Sequence, residues 1–206
     1  MTILNQLASA LNRRDEVPNV ELARAIAKSN DSNSVRELVD NLASKDKNIA
    51  SDCIKVLYEI GGIKPALIAC YYREFCKLLE SRNNRLVWGA MIALDSITLV
   101  EPEGVFGLLT KILDAAAMGS VITRDHAVGI LAKLGTIARY ADKCVPLLLK
   151  QLSACPNNQF PMYAETSIKA ITVKNRQAFH NVLTKRLKGL EKESQKKRIE
   201  KVLRSL

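Results

Sequence analysis

Aromatic side chains are scarce in this chain: ten among 206 residues. Sheets favour aromatic and β-branched residues, so the shortage, beside abundant Leu, Ile, Val and Ala, argues for packed helices. Glycine and proline together number fifteen, too few for collagen-like or long disordered stretches. No apolar run is long enough to span a bilayer, and the opening residues carry no basic leader followed by an apolar run, so no secretory signal is expected. Histidine occurs only as His126 and His180. Neither has a Cys, Asp or Glu partner one helical turn away that makes a known ligand set, and the adjacent Asp125 and His126 point in different directions on a helix. A dinucleotide fingerprint, a Walker loop, G-x-S-x-G and H-E-x-x-H are all missing. The chain therefore reads as a non-enzyme, with no catalytic residue, no metal and no cofactor expected. The five cysteines, Cys53, Cys70, Cys76, Cys144 and Cys155, form no C-x-x-C pair. They are expected to be buried and reduced, in a cytoplasmic protein.

What the sequence does hold is a repeat. Cys53, Ala90, Ala127 and Ala164 are each 37 residues apart. Four residues on stand Leu57, Leu94, Leu131 and Ile168, and three further on Ile60, Ile97, Leu134 and Ile171, with the same step. Ile199, Leu203 and Leu206 give a last copy after 35 residues. Offsets of four and seven put all three positions on one helix face. Leu38, Phe75, Ile112 and Leu149 also step by 37, and Phe179–Leu187 supplies a fifth apolar stripe, so each unit reads as a helix, a turn and a second helix. Ser34-Val35-Arg36-Glu37 matches a capping box. Pro65, Pro102 and Pro161 suit first helical positions. Gly61-Gly62 and Gly135 suit left-handed stops. Ile3–Leu11 and Val20–Ala27 read as two further helices that would cover the first unit's exposed end.

Ala90-Met91-Ile92-Ala93-Leu94-Asp95-Ser96-Ile97 and Ala127-Val128-Gly129-Ile130-Leu131-Ala132-Lys133-Leu134 resemble the second-helix signature of HEAT and HEAT-like repeats. Arg124 stands where that family's helix often has arginine, while Ala50, Val87 and Pro161 depart from it. Two helices per unit, not three, favour HEAT-like over armadillo. The resemblance covers about residues 32–206. It implies an all-α, right-handed α-α superhelix of about five hairpins plus an N-terminal capping pair. As one domain over 1–206, it would comprise cap helices in 1–30, four repeats in 32–173 and a basic capping repeat in 174–206. It also implies a scaffold that binds a protein or peptide along its concave second helices, or in some members nucleic acid.

Two surfaces are candidates for contact. Trp88 is the single tryptophan, and the equivalent positions in other units hold Ser51, Asp125 and Met162, which is not a core pattern. The next ladders read Lys55, Ile92, Gly129, Thr166 and Tyr58, Asp95, Ala132, Lys169. Lys55, Tyr58, Trp88, Ile92, Asp95 and Asp125 are therefore the expected partner-binding positions; the plainer reading is that Trp88 packs against a neighbouring helix. Residues 174–206 carry eleven Lys and Arg against three acids, a net of +8 out of the chain's +10. Lys192, Lys196, Lys197, Arg198, Lys201 and Arg204 form either a solvated outer face or a landing patch for nucleic acid or an acidic protein. The nucleic-acid alternative extends to HEAT-like DNA glycosylases, of whose Trp and Asp this chain carries only a loose echo. No aromatic interleaves the basic run, so base stacking is not suggested.

Overall fold

The computed structural model describes residues 2–206; Met1 lies outside them. Those residues form helices and turns, with no strand. They divide into two compact units, one ending at Thr123 and the other running Arg124–Leu206, with the division in the first turn of a helix. The first unit contains α1 (Val17–Ser29), α2 (Ser32–Asp40), α3 (Lys47–Ile63), α4 (Tyr72–Leu78), α5 (Asn84–Ile97), α6 (Pro102–Gly107) and α7 (Leu109–Met118). The second contains most of α8 (Val121–Gly135), then α9 (Ala138–Ala154), α10 (Phe160–Ser167), α11 (Arg176–Leu187) and α12 (Glu193–Arg204). No helix among the described residues is long and apolar enough to cross a membrane.

The 37-residue ladder is the core. Cys53, Leu57 and Ile60 on α3, Ala90, Leu94 and Ile97 on α5, and Ala127, Leu131 and Leu134 on α8 are all buried. Successive second helices run parallel within each unit. In the first, Gly61 of α3 abuts Ser96 and Gly89 of α5 abuts Ile54, so both contacts advance seven residues in the same direction. In the second, Tyr163 bonds Asp125 and Gly135 abuts Ala170, again with both chains advancing together.

The register then drifts in the fourth copy. α10 ends at Ser167 and passes into a 3-10 turn, Ile168–Ala170. Tightening from 3.6 to 3.0 residues per turn rotates the side chains, so Ile168 and Ile171 are half-buried and Ala170 is buried instead. In the last copy Ile199 and Val202 are buried, while Leu203 and Leu206 are only half-buried. The first helices keep Leu38, Phe75 and Ile112 fully buried, but in α9 Leu148 replaces Leu149. The cause is Pro146, which lies 37 residues after buried Leu109 and is exposed inside α9. A proline leaves the carbonyl one turn back without its partner, and turning that face to water allows it to hydrate.

Several local expectations are corrected. α2 starts one turn before the expected capping box: Asp31 accepts from the backbone N–H of Asn33 and Ser34 at 3.1 and 3.0 Å, while Glu37 accepts from Ile3 N–H. The Ile3–Leu11 stretch is not a full helix but a 3-10 turn, Ile3–Gln6, followed by turns, with Leu11 50% exposed. Gly61 and Gly62 do not stop α3, which runs on to Ile63, and no described glycine has a positive φ. The left-handed stop on α1 is Asn30, at φ 56°. Two helices per unit holds only in part, because 3-10 turns at Pro65–Leu67 and Ala69–Tyr71 precede α4 and the short α6 precedes α7. The structure also reveals a ladder of helix starts: Asp46 and Asn83 cap α3 and α5, and Ser120, the next at a step of 37, accepts from Thr123 N–H ahead of α8.

The slipped register is directly testable. Leu148→Ala is expected to lower stability by about 2–5 kcal/mol and Leu149→Ala by less than about 1 kcal/mol. Urea unfolding of the two variants decides it; equal losses would restore the unbroken ladder.

Candidate functional site

α3 and α5 approach closely because each carries a glycine where the other presents a side chain. A methyl group on Gly89 would sit 2.4 Å from Ile54 Cγ1, and one on Gly61 would sit 2.3 Å from Ser96 Oγ. Alongside them, residues 8–16 form a strap held by a buried amide. Asn19, fully buried on α1, accepts from Ala8 N–H at 2.9 Å and donates to Asp52 Oδ1 at 2.8 Å; the other Asp52 oxygen accepts from Ser9 N–H at 2.8 Å. The Asn19 amide both accepts and donates here, as a buried amide requires, while the Ser9 hydroxyl is buried without a partner.

Strap, α3 and α5 enclose a groove of about 850 Å³, within the range of ligand sites. Of the sequence-derived positions it unites Lys55, Tyr58, Trp88 and Ile92 along its lining, all half-buried. Asp95 does not line it. Asp125 belongs to the second unit, where it accepts from the Tyr163 hydroxyl at 2.8 Å. Burial, reinforced by that carboxylate, raises the Tyr163 pKa above the ordinary tyrosine value.

Electrostatics in the groove are mostly settled internally. The Lys55 ammonium bridges Glu16 and Glu59, both at 2.8 Å, and lies 4.8 Å from the Tyr58 ring centre. Burial works against its charge, but hydrogen bonds with Glu16, Glu59 and Tyr58 outweigh that and hold its pKa above the usual lysine value. Arg13 grips Asp15 through two bonds of 2.9 Å. The strap pairings and the Asn19 junction had no signal in the apolar periodicity that revealed the repeat.

The four buried thiols are not activated. Burial, with the charges of Asp52 and Glu37, pushes Cys53 up to about 12, and burial pushes Cys144 up to about 11 against the pull of Lys143. Cys70 is exposed, unlike the buried state expected for all five.

In the second unit the basic run is less free than its composition suggests. Arg198 forms a two-pronged pair with Glu165 at 2.7 and 2.6 Å, and Lys196 pairs with Glu193 at 2.7 Å. Ile199 and Val202 turn α12 onto the core. Arg186, counted among the tail's cations, is structural: it stacks 4.3 Å from the Phe160 ring centre and donates to the carbonyls of Leu152 and Cys155 at 2.9 and 2.6 Å and to Asn157 Oδ1 at 2.7 Å.

Two sets of substitutions check these contacts. Gly89→Ala gains about 1 kcal/mol of helix propensity but overpacks Ile54 at a cost of about 1–3 kcal/mol, so a net loss is expected. Adding Ile54→Ala should make the double mutant lose less than the sum of the singles, read by denaturant unfolding; strict additivity would contradict the close approach. For the α9–α10 loop, Arg186→Ala should cost about 2–3 kcal/mol. Arg186→Lys should recover less than half of that, since one ammonium cannot span the guanidinium's three acceptors.

No family model matches the chain, and no curated protein does. Solved structures do. A designed armadillo repeat protein in complex with the peptide (KR)4 superposes with a TM-score of 0.69 at 16% identity, over 98% of this chain and 99% of that one. Computationally designed armadillo repeat proteins for modular peptide recognition give 0.67 at 16% identity, over 98% and 99%. An engineered protein gives 0.62 at 20% identity, over 100% and 98%. At these identities the likeness speaks for the fold alone: this chain has an armadillo-like helical repeat fold, an all-α repeat superhelix.

Proposed function

We propose that the chain is a non-enzymatic, HEAT-like interaction scaffold that binds a protein or peptide segment on the concave face formed by its second helices. The observation that carries this reading is the meeting of Lys55, Tyr58, Trp88 and Ile92 in one groove across α3 and α5. These positions vary between units while the ladder beneath them stays apolar, the division of labour a scaffold needs. Trp88 supplies a large, rigid contact area of the kind that dominates interface energetics. The armadillo neighbours built for peptide recognition support the same reading by analogy of fold.

A peptide array probed with the full chain tests it. Peptides that bind are expected to weaken by tenfold or more against Trp88→Ala, measured by polarisation of labelled peptide, while helical content and melting temperature stay unchanged. Binders indifferent to Trp88→Ala would remove this face from the proposal.

A further inference from the structure

The sign of the groove's uncommitted charge identifies its occupant. Three acids line the groove, and each is engaged within the chain: Asp15 by Arg13, Glu16 by Lys55, and Asp52 by Ser9 N–H and the Asn19 amide. Two of its four cations, Arg13 and Lys55, are committed in the same pairs. Arg14 on the strap and Arg85 in the first turn of α5 remain, both exposed, their guanidinium groups making no hydrogen bond or ion pair among the described residues. The backbone adds to the same sign. Asn48 and Ser51 from the first turns of α3, and Arg85 and Trp88 from those of α5, line the groove, so it runs past the N-terminal ends of two parallel helices. Aligned peptide dipoles make those ends positive; the Asp46 carboxylate offsets this at α3, while α5 is capped by the neutral Asn83. Trp88, Ile92 and Ile122 add apolar surface to the same lining.

We propose that this groove binds an acidic peptide segment, an apolar side chain lying against Trp88 and Ile92 with flanking carboxylates paired to Arg14 and Arg85. A guanidinium takes a carboxylate through two parallel bonds, so each arginine fixes both position and orientation. The occupant is opposite in charge to the (KR)4 peptide of the designed neighbour. A polynucleotide fits less well, since only the two uncommitted cations, Arg14 and Arg85, would meet its closely spaced phosphates. The inference rests on reading this groove as a peptide site, and adds the chemistry of the peptide.

Trp88, the chain's single tryptophan, reports binding by its own emission. The full chain is titrated with three end-blocked heptapeptides that differ only in charge: Glu-Gly-Phe-Glu-Gly-Leu-Glu, and the same sequence with Gln or with Lys in place of Glu. The Glu peptide is expected to bind at least tenfold tighter than the Gln peptide, to weaken between 50 and 300 mM NaCl, and to outbind the Lys peptide. The Arg14→Gln/Arg85→Gln double variant, with an unchanged thermal melt, should abolish the preference for Glu over Gln. Tighter binding of the Gln or Lys peptide overturns the acidic occupant but leaves a peptide groove standing. A preference that survives in the double variant also overturns the proposal, as does a dodecamer of thymidylate that binds where the Glu peptide does not. If none of the three peptides saturates the Trp88 signal, the proposal falls, while the peptide array judges the scaffold reading separately.

Discussion

The spacing between α3 and α5 is set by two missing methyl groups. Gly61 gives way to Ser96 and Gly89 to Ile54, one glycine on each helix, seven residues of register apart. Interiors are packed to crystal-like density, so a Cβ at either place has nowhere to go, and the parallel pairing depends on both. The groove inherits that spacing: Trp88 precedes Gly89 directly, while Lys55 and Ile54 are neighbours on the facing helix. A helix distance fixed for packing reasons therefore also fixes which variable side chains can meet.

Much of the fold was legible because the apolar ladder is a consequence of stacking. Leu57, Leu94 and Leu131 occupy equivalent seats, and burial demands the same kind of residue in each. The failures occur where backbone polarity, not side-chain apolarity, decides. Pro146 turned α9 by one position because of an unpaired carbonyl, and the 3-10 turn after Ser167 broke the spacing in the fourth copy. Asp31 took the cap because α2 begins earlier than Ser34 suggests. Gly61 and Gly135 serve close approach, to Ser96 and Ala170, and not a left-handed stop. The caps Asp46, Asn83 and Ser120 were visible at the same step of 37 and could have been found by repeating the search on polar residues.

The candidate site was partly legible. Variable positions on the second helices led to Lys55, Tyr58, Trp88 and Ile92, which do share a groove, and to Asp95 and Asp125, which do not line it. Charge counting was the weaker guide. The tail's +8 drew attention to α12, yet Arg186, Lys196 and Arg198 are engaged within the fold. In the groove the count is nearly balanced, and the useful quantity is what remains after pairing. That remainder depends on which side chains lie within reach of one another, which composition does not contain.

The strap has one more consequence. Its anchorage is Leu7, Ala8, the amide junction through Asn19 and the Glu16–Lys55 ion pair, while residues 10–17 are exposed. Segments with little buried apolar contact open at lower free energy than the core they rest on. One wall of the groove can thus detach and re-seat while the α3–α5 wall stays intact, and a guest that touches Arg14 supplies contacts the strap otherwise lacks. Occupancy and order of that wall are then thermodynamically linked: whatever fills the groove also slows hydrogen exchange in residues that never reach the core.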